Sequence, residues 1–171
     1  TPGSGCGASI VSGGAFTSPV VIYKSNPWSS QYPANAIALT SRCPSSTSSP
    51  TAAGGSVALY SGASIELNYQ GFFTAGMPLP DLQSIVAHEL GHLAGLNHTC
   101  ESNAATGVPG CGASGLPTEY RLASLYPNFA RDTSTGLYEQ RRALNLNDQG
   151  RTNCLYQTGK TAAATSVSSR H

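Results

Sequence analysis

Three of the four histidines in this 171-residue chain fall between positions 88 and 98. They stand in the run His88-Glu89-Leu90-Gly91-His92-Leu93-Ala94-Gly95-Leu96-Asn97-His98. Two imidazoles four residues apart project from the same side of an α-helix and can share one ion at about 2.0–2.1 Å each. Gly95 tolerates the left-handed backbone by which a chain leaves a helix sharply, so His98 can return as a third ligand. Three nitrogen ligands leave a fourth position for water, which marks a catalytic zinc site rather than a closed structural one. Zinc lowers the pKa of such a water to about 7, and Glu89 is placed to take its proton as general base. At this chain's own residue frequencies the five fixed positions would coincide by chance in roughly one chain in 10⁵. Satisfied polar groups on a half-buried helix would account for neither Glu89 nor Gly95.

The element that must carry these ligands is a helix beginning near Asp81, just after Pro80, and stopping at Gly95. Leu82, Ile85, Val86, Leu90 and Leu93 share one face at helical spacing. His88 and His92 lie on a flank of that face, with Glu89 between them and its centre. Upstream, the β-branched Val20-Val21-Ile22-Tyr23 reads as a strand, and Ala36 to Thr40 as a second. Residues 44–56 are drawn from Pro, Ser, Thr, Ala and Gly and read as a loop. Val57 to Tyr60 and Ile65 to Tyr69 read as further strand. Residues 99–143 are mostly irregular. A last short helix is expected from Asn145 as N-cap, with Asp148 three residues on in a capping-box arrangement. Residues 157–171 lack an apolar pattern and are expected to form a flexible tail.

Length and composition bound the rest. A chain of this size forms one domain. With a net charge of +1 and 10% charged residues it has no basic footprint for nucleic acid. No apolar run approaches the ~20 residues of a membrane-spanning helix. Thr1-Pro2 and the glycines that follow show no signal-peptide pattern, so any leader is expected to have been removed already. Five cysteines (Cys6, Cys43, Cys100, Cys111 and Cys154) form no CxxC pair. Two disulfides and one odd thiol in an oxidising compartment is the simplest reading, with Cys100–Cys111 and Cys6–Cys43 the favoured pairs.

HExxHxxGxxH is the zinc signature of the metzincin metallopeptidases, and His88 to His98 matches every fixed position, so the chain resembles that family. Ser124-Leu125-Tyr126-Pro127-Asn128-Phe129 resembles the matrixin Met-turn and the segment that walls the S1′ pocket, with Leu125 where the family carries methionine. Leu144-Asn145-Leu146-Asn147-Asp148 and then Leu155-Tyr156 is similar to the closing matrixin helix, and Ile65-Glu66-Leu67-Asn68 to the upper edge strand of its sheet. The resemblance implies an α+β, zincin-like fold. A twisted mixed sheet is backed by the zinc helix and followed by an irregular C-terminal subdomain and a short last helix. It implies a catalytic domain over residues 1–156 that lacks the usual first strand and long first helix. It also implies a secreted, monomeric zinc endopeptidase binding one catalytic Zn²⁺ on His88, His92 and His98, with Glu89 as base. Peptide would lie extended along Ile65 and Leu67 and against Pro127 and Phe129. The aspartate-rich calcium loops of matrixins are not evident, so no structural calcium is implied.

Other residues have simpler readings. Glu66 reads as an outward-facing strand residue rather than a substrate contact, and Tyr126 either approaches the metal or packs beside Pro127. Cys6 reads as a disulfide partner rather than a thiolate capping the zinc, and Asp132 and Asp148 as turn and cap residues. The alternative function is a latent or catalytically silent peptide-binding module, which would be expected to have lost Glu89 or a ligand. A hydrolase of small amides would not need the long strand and the Pro127–Phe129 wall.

Overall fold

A computed structural model describes residues 20–51, 55–103 and 107–156. The expectations for Cys6 and for the tail at 157–171 lie outside the described residues.

Strand β1, Val20–Ser25, forms where the β-branched run predicts it. β2, Ala38–Pro50, and β3, Ser56–Asn68, are much longer than the sequence suggested. Residues 44–50 are therefore strand rather than loop, and the two short strands expected at 57–60 and 65–69 are one. Pairing supplies the reason, because each long strand satisfies the other's backbone groups whatever its side chains. Pro44 cannot donate to the ladder, and it falls where the β2–β3 register shifts.

The sheet is mixed, in the order β1-β3-β2, with β3 parallel to β1 and antiparallel to β2. That order corrects the expectation of an edge strand at Ile65–Asn68. Those residues lie on the central strand, where Ile65 pairs with Ile22 on one side and Thr40 on the other. Ile65 and Leu67 are buried in the core against Ile85. Each such side chain contributes about 1.5–3 kcal/mol of hydrophobic stabilisation.

Glu66 points to the opposite face, but it is buried rather than outward-facing. The Tyr32 hydroxyl donates to its carboxylate at 2.9 Å. Burial and this carboxylate push the Tyr32 hydroxyl up to about 12 and raise Tyr23 as well.

Helix α1, Leu82–Leu93, packs on the sheet. A one-turn helix α2, Thr118–Arg121, interrupts the irregular segment that follows, and α3, Leu146–Tyr156, closes the described chain. The capping box at α3 forms. Asn145 Oδ1 accepts from the amides of Asn147 and Asp148, and Asp148 Oδ2 accepts from Asn145 N at 3.2 Å. Cys100 and Cys111 form a disulfide. Cys43 is also disulfide-bonded, and Cys154 is a free, exposed thiol.

Candidate metal centre

Helix α1 is fixed at both ends by the residues expected to fix it. Asp81 is the N-cap, with Oδ2 accepting from Ser84 N at 3.0 Å. Arg142 pairs with Asp81 and holds its carboxyl well below the usual carboxylate range. At the other end Gly95 adopts φ +90°. Its amide donates to His92 O, and Leu96 N donates to Gly91 O at 3.0 Å, the paired bonds of a Schellman motif.

The buried face is not the leucine stripe. Ser84, Ile85, His88, Glu89 and Gly91 are buried, while Leu82 and Leu90 are each 43% exposed. A polar face can turn inward here because each polar side chain on it has a hydrogen-bond partner.

The three expected ligands meet. His88, His92 and His98 bring their Nε2 atoms to 3.1, 3.2 and 3.3 Å from one another. A four-coordinate ion at about 2.0–2.1 Å needs ligand nitrogens about 3.3 Å apart, so the set fits a metal. His88 Nδ1 lies 2.7 Å from Ser124 O and His92 Nδ1 lies 2.8 Å from Leu96 O. Each Nδ1–H donates to its carbonyl, which leaves the Nε2 lone pair facing inward. Converging lone pairs repel one another unless a cation lies between them. Burial, followed by the charge of its neighbour His92, pushes His88 down to about 3. The same two causes put His98 at about 4, and burial also lowers His92. The site therefore offers neutral imidazoles, the form a metal requires.

The loop bearing His98 is held from several sides. Arg151 of α3 donates to Asn97 O at 2.6 Å, and Thr99 N donates to Leu125 O at 3.1 Å. The Cys100–Cys111 disulfide follows two residues later.

Glu89 is buried beside these histidines, and burial pushes its carboxyl up to about 7. Thr40 of β2 donates its hydroxyl to Glu89 Oε2 at 2.6 Å. Leu125 is fully buried, and a Cβ added at Gly91 would stand 2.5 Å from its Cδ2. Asp148, also fully buried, accepts from Ser124 N at 2.7 Å and from Leu125 N at 3.4 Å. Its role thus extends beyond the cap expected of it. Asp132 keeps the turn role, with Oδ1 accepting from the amides of Ser134 and Thr135 at 2.8 Å each.

A cleft of about 770 Å³ passes the histidines. Ala36 to Thr40 and Pro127, Asn128 and Phe129 are among the residues that line it. The Phe129 ring lies 5.6 Å from that of His88. Ile65 and Leu67 do not line the cleft, and β2 takes the place expected of them. Tyr126 is packed under the Arg141 guanidinium, 5.0 Å from its ring centre. Thr40, Arg141, Arg151 and the reach of Asp148 were missed from sequence. Each acts across tens of residues, and only the capping spacing at Asp148 gave any local signal.

A family model described as metallo-peptidase family M12 matches residues 14–125, which covers all three histidines, Glu89 and Leu125. The chain belongs to metallo-peptidase family M12. No curated protein and no solved structure matches it. Membership agrees with the metzincin resemblance. The small α+β architecture with its mixed three-stranded sheet is compatible with a zincin-like fold. As an M12 peptidase the chain acts on protein or peptide. No helix among the described residues is long and apolar enough to cross a membrane.

Proposed function

We propose that this chain is a secreted, zinc-dependent endopeptidase of matrixin-like design whose catalytic domain covers residues up to 156. The observation that carries the reading is the convergence of the three Nε2 atoms within 3.3 Å of one another, in the cleft that Glu89 also lines. Zinc held by His88, His92 and His98 would supply Lewis-acid polarisation of the scissile carbonyl and acidify a water. Glu89 then accepts the proton of the attacking water and hands it to the departing amine. Burial raises the carboxyl in the metal-free site, and the charge of a bound zinc would draw it back towards the ionised form that a base needs.

Substrate lies extended along β2, an outer strand of the sheet whose residues 38–40 line the cleft, while Pro127 and Phe129 bound its side chain. Leu125 serves as the apolar floor that methionine provides in the family. Volume is nearly conserved between the two, so Leu125→Met should cost under about 1.5 kcal/mol. The disulfide-bonded cysteines favour an oxidising, extracellular setting. A silent module is disfavoured because the base and all three ligands are present.

Two variants test the reading. Glu89→Gln should keep one zinc per chain and lower kcat by about 10²–10⁴. His98→Ala should lose zinc and activity together, because two ligands hold it weakly. Wild-type turnover by Glu89→Gln, or full zinc in His98→Ala, would overturn the assignment.

A further inference from the structure

Arg141 lies behind the cleft wall, 8% exposed, and its guanidinium serves several partners at once. Nη1 donates to Tyr126 O at 3.2 Å and Nη2 to Asn128 O at 3.0 Å. Nη2 also pairs with the Glu139 carboxylate, which offsets the buried charge. The same group stacks over two rings, 5.0 Å from the centre of Tyr126 and 5.1 Å from that of Phe129. Its own backbone amide donates to Ser84 Oγ at 2.7 Å, and Ser84 is fully buried in the first turn of α1.

The wall is irregular backbone, so its carbonyls find no partners in a helix or sheet ladder. A planar guanidinium holds two of them at a separation set by its rigid fork, which a compact ammonium lacks. Phe129 is therefore held against the Arg141 guanidinium while its ring also packs near that of His88. Through Ser84 the whole arrangement is tied to the helix that carries the histidines.

We propose that Arg141 is a positioning residue that sets the shape of the Pro127–Phe129 wall, and through it which side chain is accepted next to the scissile bond. The inference rests on the peptidase reading. Arg141 is not among the residues that line the cleft, so it reaches the substrate side chain through the wall, while its charge also acts on His88.

The test uses zinc-loaded full chain and a peptide series varied at the residues flanking the cut. Arg141→Lys keeps the charge and the stem but loses the fork. Zinc should remain at one per chain, while kcat/KM for the best peptide falls about tenfold, chiefly through KM, and discrimination between small and large side chains flattens. Amide exchange at Tyr126, whose N–H bonds Ala123 O, and at Glu139, whose N–H bonds Ala130 O, should quicken several-fold. Arg141→Met should do the same more strongly, and Arg141→Lys keeps the test open if the methionine variant does not fold. Faster exchange with an unchanged selectivity profile would reduce Arg141 to a structural prop and overturn the proposal. Unchanged exchange would overturn it as well. A wild type that holds zinc but cuts no peptide would remove the peptidase reading alone, leaving the exchange rates to decide whether Arg141 shapes the wall.

Discussion

Burial of His88, His92 and His98 beside one another makes the metal-free chain sensitive to acid. His88 is held at about 3 and His98 at about 4, against an ordinary 6.5, and His92 shifts the same way. Between those values and 6.5 the unfolded chain binds protons that the folded chain refuses, so stability falls as pH drops through this window. Glu89 works in the opposite sense. Raised from 4.5 to about 7, it favours the folded state most below 4.5, and that contribution is lost as pH rises through 7. Three histidines outweigh one glutamate. The thermal midpoint of chelator-treated protein should therefore be lower at pH 5 than at pH 7, and a midpoint that rises on acidification would contradict the burial of the neutral imidazoles. The ligands and Glu89 were legible because their spacing is local. Thr40, 49 residues from the carboxylate it holds, was not, because a single threonine in a strand carries no signal of its partner.

Two elements meet where Gly91 of α1 faces Leu125. In an open helix position Gly→Ala gains about 1 kcal/mol of propensity. Here the new Cβ would stand 2.5 Å from a side chain that is fully buried and cannot swing into solvent. Overpacking costs about 1–3 kcal/mol, so Gly91→Ala should destabilise the protein, and Leu125→Ala should partly relieve it in the double variant. Denaturant melts showing Gly91→Ala as stable as wild type would refute the contact. Helix α3 is tied to the same place by Asp148. Asp148→Ala removes half of a capping box and strands the buried amides of Ser124 and Leu125. It should cost more than the roughly 1 kcal/mol of an ordinary cap, whereas Asn145→Ala should stay near that figure. Equal losses in the two variants, measured by thermal melts, would confine Asp148 to its cap.

For the molecule as a whole, the Cys100–Cys111 disulfide closes a short loop immediately after His98. Replacing both cysteines by serine should cost about 3 kcal/mol and weaken zinc binding, because the loop presenting His98 loses its tether. Zinc affinity equal to wild type would show that Arg151 and Thr99 position His98 unaided. The sequence by itself determined what depends on neighbours along the chain. Helical periodicity places His88 with His92, Gly95 ends the helix, and the Asn145–Asp148 spacing makes a capping box. Only the tertiary structure decided what depends on pairing across the fold. It made β3 the central strand and gave the cleft edge to β2. It buried Glu66 beside two tyrosines, and it turned the histidine side of α1 inward while leaving Leu82 and Leu90 exposed. Turns and caps are closed by hydrogen bonds within a few residues, so residue types reveal them. Strand order and the burial of a polar face are settled by partners tens of residues away, which no local pattern encodes.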